Sequence, residues 1–232
     1  AARIAALRGH TVTLYEQKDS LGGLLGTAQA YKGTHERMGD LKDYLARQLE
    51  IASVQTVTGQ TVDVDFVKSE GPDVVLVAVG GSRESKLSSS ASVNVMDVGS
   101  IDLNEIDDDV VIVGGNLQAV DIASFLIAQG KHVDIVNPGA KDVLDIEQSP
   151  WVRRFTLPHL YAKGVKVYNE ADATEITDSG LRITMRDCGL DKEIVCGTVI
   201  ECWDMVGNTA LVDDIAATGI EAYAVGCDAP KN

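Results

Sequence analysis

The chain has 232 residues, 45% of them hydrophobic and 5% aromatic, with 22 glycines, 5 prolines and a net charge of −15. The length allows one large or two ordinary domains, and the aliphatic, glycine-rich balance suits an α/β protein and argues against disorder. The negative charge argues against a nucleic-acid backbone as partner, and no run of about 18 apolar residues is present to span a membrane.

The opening stretch, AARIAALRGH, predicts a helix over 1–8 that starts without a cap and ends at Gly9. It lacks the h-region and cleavage pattern of a signal peptide. A chain seldom opens inside a helix, so a further element is expected before Ala1. A strand follows at 11–16, then a glycine-containing loop at 19–34, a helix at 35–52, a strand at 54–58 and a short helical piece near 63–70. The apolar run DVVLVAV at 73–79 predicts a buried strand that ends at Gly80-Gly81. The Ser-rich stretch 82–94 reads as an exposed connection.

Residues 110–123, VVIVGGNLQAVDIA, run four apolar β-formers into two glycines and then an apolar helical stretch at 117–129. This is how a dinucleotide-binding turn begins. The first glycine makes the tight turn, the second admits the pyrophosphate, and the third lets helix and strand pack closely. The helix N-terminus then offers free N–H groups and a positive dipole end to the anion. Gly114 fills the first place and Gly115 follows it. Asn116 stands at the second glycine's place and Ala119 at the third's. Asn tolerates positive φ, so the turn can survive, with its side chain directed at or near the phosphates. The strand at 132–136 leads to Asn137, where an acid usually grips the ribose. Asn137 could still hydrogen-bond a ribose without a charge. Lys131 and Lys141 are nearby cations.

Beyond Pro138-Gly139 the pattern predicts a helix at 150–163, a strand at 165–168, paired strands within 172–186, and strands at 194–201 and 221–225. Strands alternating with helices imply parallel sheets built from βαβ units. The plan also repeats. AARIAALRGHTVTLYEQ and AVDIASFLIAQGKHVDIVN share an apolar helix, a glycine, a histidine and an apolar strand. The expectation is two Rossmann-like domains, the second inserted in the first, with 1–100 and 205–232 forming one and 101–204 the other.

In the first repeat Glu16 stands at the strand end, where a ribose diol would be gripped, and Gly22-Gly23 follow in a tight loop. Near the end, AYAVGCDAP brings a strand against Gly226, Cys227 and Asp228, and Asp228 could meet a flavin side chain or cap a helix. Arg153 and Arg154 could reach a phosphate. Trp151 and Trp203 read as core or edge packing, and Asp107–Asp109 as a solvated loop. His10, His35, His132 and His159 show no metal spacing, and no Ser/His/Asp arrangement is present. The four cysteines, Cys188, Cys196, Cys202 and Cys227, make no CxxC pair. That argues against a zinc site or iron–sulfur cluster in this chain and fits a reducing cytoplasm.

Taken in order, AARIAALRGHTVTLYEQKDSLGGLLGTA, PDVVLVAVGGS, VVIVGGNLQAVDIASFLIAQGKHVDIV and AYAVGCD resemble the C-terminal half of NADH:flavin oxidoreductases of the 2,4-dienoyl-CoA reductase and trimethylamine dehydrogenase type. The resemblance covers essentially the whole chain. It implies an FAD-type Rossmann domain with an NAD(P)-type domain inserted in it. It also implies a separate barrel domain with FMN and a four-iron cluster, where an enoyl-type substrate would be reduced. By position, Glu16 would hold the FAD ribose, and Gly22, Gly23, Ala78 and Gly80 would line the flavin nucleotide. Asp228 would sit near the ribityl–pyrophosphate, and Gly114, Gly115 and Asn116 would face the NAD(P) pyrophosphate. The family's first glycine turn would precede Ala1, so this stretch by itself is expected not to hold FAD tightly.

The sequence departs from the family at Cys227-Asp228, where the usual order is Asp then Cys. It departs again at Cys202-Trp203-Asp204, which replaces a strand end of small residues and would crowd the nicotinamide. Two alternatives therefore stay open: a degenerate module that holds only ADP, or a purely structural domain.

Overall fold

A computed structural model of the chain describes residues 1–32, 36–87, 92–99 and 101–226. Asp228, with Cys227 and His35, lies outside the described residues. The chain divides into two compact units, residues 1–82 with 205–232, and residues 83–204.

The first unit begins with α1 (Ala2–Leu7) and β1 (Thr13–Glu16). The expected loop at 19–34 instead contains a helix, α2 (Leu24–Lys32). Two glycines break the chain at 22–23, but Leu, Ala, Gln and Lys beyond them are good helix formers. Then come α3 (Met38–Ile51), β2 (Gln55–Thr58), α4 (Val64–Glu70), β3 (Val74–Val77) and the short β4 (Gly81–Ser82). Asp63 caps α4 by accepting the Phe66 N–H at 2.8 Å, and Gly71 ends it in the left-handed region.

The second unit opens with β5 (Asn94–Asp97), a strand that falls within and beyond the expected Ser-rich connection. It continues with β6 (Asp109–Val113), α5 (Leu117–Ala128), β7 (His132–Asn137), α6 (Pro150–Ala162) and β8 (Lys166–Asn169). A meander follows, β9 (Ala171–Ile176), β10 (Gly180–Met185) and β11 (Leu190–Val195), and then β12 (Thr198–Glu201). The single strand expected at 194–201 is thus two strands. The break lies at Gly197, where an added Cβ would fall 2.2 Å from the Asp107 carboxylate. There the chain leaves the antiparallel meander and enters the parallel sheet.

The chain then returns to the first unit through β13 (Val206–Gly207), α7 (Ala210–Ala217) and β14 (Glu221–Ala224). Sequence patterning assigned no element to 205–220. In that unit β1 pairs parallel with β2, β14 parallel with β3, and β13 antiparallel with β4. Its small core joins Val67, Val77 and Ile215.

In the second unit, five parallel strands run in the order β5-β12-β6-β7-β8. β5 therefore belongs to this sheet, and the first unit boundary lies at 82/83 rather than the expected 100/101. β6 is buried along four of its five residues, as a central parallel strand must be. One face of α5 supplies the fully buried Ala119, Val120, Ile122, Ala123 and Leu126. A second core cluster joins Val111, Val113 and Val136 to Leu181, Ile183 and Ile194 of the meander.

Candidate functional site

The strand order places β7 and β8 on one side of β6, and β12 and β5 on the other. The β6–β12 junction is therefore the topological switch point, the crevice where open α/β sheets bind ligands at the carboxyl ends of their strands. Val113 and Glu201 stand opposite each other there. Gly114 leaves β6 with φ +138°, and its N–H donates to the Val136 carbonyl at 2.8 Å. A Cβ at Gly114 would lie 2.5 Å from the Cys202 carbonyl oxygen, so only glycine fits. Gly114 thus joins a parallel strand to the amino end of a helix.

Asn116 is not in the left-handed region. Its φ of −83° and ψ of 175° are extended, and it is the N-cap of α5. Its side-chain oxygen accepts the Ala119 N–H at 3.1 Å. Its amide donates to the Cys202 carbonyl at 2.9 Å and to an Asp204 carboxylate oxygen at 3.3 Å. The expected phosphate-facing side chain is instead engaged by its own helix and by the end of β12. Asn is among the strongest N-caps, so this role was available from the sequence. The cap leaves the N–H groups of Leu117 and Gln118 as the donors that a bound anion would meet.

Asn137 is placed differently from its expected ribose role. It is 2% exposed. Its amide donates to the Ala140 carbonyl at 3.2 Å and to the Asn169 side-chain oxygen at 2.9 Å, and its own oxygen accepts the Gly139 N–H at 2.9 Å. That oxygen is also packed where a Cβ on Gly115 would be, at 2.0 Å. Asn137 ties the turn after β7 to β8 and lies against the Gly115 backbone. The Gly115 carbonyl in turn accepts the Asp145 N–H at 2.7 Å, so the segment after β7 is tied to the glycine turn. Arg153 donates from α6 to the Asp142 carbonyl, and Arg154 is exposed.

Sequence reasoning missed a cluster on the other side of the crevice. Glu201 is 3% exposed. One of its oxygens accepts the Lys86 backbone N–H at 2.9 Å and the Trp203 indole N–H at 2.7 Å, and the other accepts the Ser85 hydroxyl. Arg83 donates its Nε–H to the Trp203 carbonyl at 2.9 Å and a terminal N–H to Gln118 in the first turn of α5. The Lys86 ammonium lies 4.4 Å from the Trp203 ring centre. A cavity of ≈ 120 Å³ opens beside Arg83, Ser85, Asp97, Glu201 and Trp203. More than a hundred residues separate Arg83, Ser85 and Lys86 from Glu201 and Trp203, so no local signal could have found their contacts. Trp151, expected as packing, is 72% exposed.

Buried Cys196 and Cys202 have their thiols pushed up to about 12 by burial, whereas Cys188 is exposed. Neither buried thiol is suited to nucleophilic work. No metal-holding group of His, Cys, Asp or Glu is found among the described residues, and no described helix is long and apolar enough to cross a membrane. Asp108 and Asp109 of the expected solvated loop pair with Lys131 and His132 at 3.0 and 3.2 Å.

In the first unit, Glu16 ends β1, and its carboxylate accepts the Lys18 N–H at 2.9 Å. Gly22 and Gly23 lead into α2 with φ +129° and +48°. Ala78 is exposed beyond the end of β3, and Gly80, at φ +77°, accepts the Asn208 N–H at 3.0 Å. β1 and β3 lie in separate two-stranded sheets of this unit.

Residues 1–225 match the pyridine nucleotide-disulphide oxidoreductase family. The chain belongs to that family. Its members are flavoprotein oxidoreductases of Rossmann type that use FAD and NAD(P). Among curated relatives, an NADH oxidase of Thermoanaerobacter brockii is 30% identical over 78% of this chain and 28% of its own length. A bilirubin reductase of Mediterraneibacter gnavus is 29% identical over 76% of this chain and 28% of its own. A solved 2-naphthoyl-CoA reductase shares the fold with a TM-score of 0.83 at 24% identity, over 100% of this chain and 35% of its own. Histamine dehydrogenase from Rhizobium sp. 4-9 gives 0.82 at 18% identity, over 100% of this chain and 39% of its own. This pyridine nucleotide-disulphide oxidoreductase chain thus spans well under half the length of these relatives.

Proposed function

We propose that this chain is the nucleotide-binding part of a longer NADH:flavin oxidoreductase. NAD(P)H is held on the 83–204 unit and FAD on the other. Reduction of an enoyl-type substrate belongs to a separate barrel domain with FMN and a four-iron cluster. The relatives named as NADH oxidase, bilirubin reductase and cinnamate reductase support a reductase of this kind. The scattered cysteines, free at Cys188, Cys196 and Cys202 among the described residues, support a cytoplasmic setting.

The observation that carries the proposal is the Gly114 turn. Its backbone lies against the Cys202 carbonyl with no room for a side chain, at the switch point and at the amino end of α5. Gly114, Gly115 and the N–H groups of Leu117 and Gln118 fit a pyrophosphate there. Glu16, with Gly22, Gly23, Ala78 and Gly80, would serve the flavin nucleotide, as would Asp228. The nicotinamide and flavin supply the hydride chemistry when bound. This chain's residues bind and orient them, and none of its side chains is assigned as acid or base.

A second reading is favoured by Asn116, Asp204 and Asn137. The cap occupies part of the helix end, and the strand-end amide is buried, as in a module that holds ADP without reduction. Anaerobic titration of the full-length protein with NADH, NADPH and ADP decides. Saturable binding of reduced nucleotide with bleaching of flavin absorbance supports the reductase. ADP binding without bleaching by either reduced nucleotide supports the second reading.

A further inference from the structure

Asp204 brings a negative charge beside Asn116, the cap of the helix end at which the proposed nucleotide would put its own. Its carboxylate oxygen is 3.3 Å from the Asn116 amide, and Asn116 is the N-cap of α5. The same amide is fixed by the Cys202 carbonyl at 2.9 Å, so Asp204 is held against the helix end by a group that is itself held. Trp203, just before it, is anchored through its indole N–H to buried Glu201 and through its carbonyl to Arg83. The strand end therefore delivers Asp204 to the amino end of α5 as a built feature. A carboxylate near a helix N-terminus is stabilised by the free N–H groups and the positive dipole end. These are the same features that would attract a pyrophosphate.

We infer that Asp204 is an internal competitor for the pyrophosphate position and lowers the affinity of this site for pyridine nucleotides. The inference rests on the nucleotide-binding reading of the Gly114 turn. Arg83 is the counter-charge that remains when Asp204 moves away. Its guanidinium already reaches Gln118 in the first turn of α5. A bound pyrophosphate replaces the carboxylate at Asn116 and gains Arg83 as a cationic neighbour.

Asp204→Asn is the test, because it keeps an oxygen acceptor for Asn116 and removes only the charge. Nucleotide binding is measured on the full-length protein by titration calorimetry, with circular dichroism to show that each variant is folded. NADH and NADPH are expected to bind about tenfold tighter to the variant at low salt, with the gain shrinking as salt rises. Reduced nicotinamide riboside, which carries no phosphate, is expected to gain nothing. Equal NADH affinity in both proteins would overturn the inference and leave the reductase reading standing, as would an equal gain for the riboside. Absence of NADH and NADPH binding in both folded proteins would overturn both.

Discussion

Replacing Gly114 with alanine tests the feature on which the site depends. At φ +138° a residue with a side chain is strained by about 1–3 kcal/mol. The new Cβ would also lie 2.5 Å from the Cys202 carbonyl oxygen and 3.1 Å from its carbon. Those atoms are backbone at the end of a central strand and cannot rotate aside, so overpacking adds about 1–3 kcal/mol. The expected loss is about 2–6 kcal/mol, a large part of a typical stability of about 5–15 kcal/mol. With about 2–4 °C per kcal/mol for a protein of this size, the melting temperature should fall by roughly 4–24 °C. Gly23→Ala is the control. Its φ of +48° is left-handed, but nothing lies within 4 Å of an added Cβ, so only about 1–2 kcal/mol should be lost. Thermal and urea unfolding followed by circular dichroism would measure both. If Gly114→Ala melts no lower than Gly23→Ala, the steric account of the turn is wrong.

Other substitutions probe the surrounding network. Glu201→Ala should cost about 2–4 kcal/mol, because the Ser85, Lys86 and Trp203 donors would all lose their acceptor. In a Trp151→Phe background, where Trp203 is the remaining tryptophan, its emission should shift to the red; an unchanged spectrum and stability would contradict the anchoring role. Asn137→Asp should destabilise by about 2–4 kcal/mol, because a carboxylate would face the Ala140 and Asn169 oxygens that now accept from the amide. It should not improve NADH affinity, as it would if residue 137 faced a ribose. Native alkylation at pH 8 should label Cys188 and spare Cys196 and Cys202, as peptide mapping would show. The raised folded values of those two thiols stabilise fully below pH 9. That contribution is lost as the pH climbs towards about 12, and a Cys196→Ala, Cys202→Ala protein should show a shallower alkaline decline in stability over that window.

The β6–Gly114–α5 unit was legible because every cue is local: an apolar run, two glycines, and an apolar helix ended at Gly130. β5 was not, because Val93, Val95 and Met96 sit among serines, and their partner in the sheet lies about a hundred residues on. The break at Gly197 was hidden for a similar reason. Ile194, Val195 and Cys196 run into Thr198, Val199 and Ile200 as one apolar stretch, and the turn is dictated by Asp107 pressing on a glycine. At the site, the glycines were readable as backbone requirements. What the polar side chains do was not, since Asn116 and Asn137 are amides that bond equally well to protein or to ligand. Their engagement by Cys202, Ala140 and Asn169 is a property of the folded sheet.

The Ser85–Lys86–Glu201 contact has a practical corollary for dissecting the polypeptide. A cut at residue 101 would strip the parallel sheet of an outer strand. It would also leave an interior carboxylate facing empty space where a hydroxyl and an amide had been. A cut before Arg83 keeps donors and acceptor in one piece, so a domain-swap or split-protein design on this scaffold should be joined there.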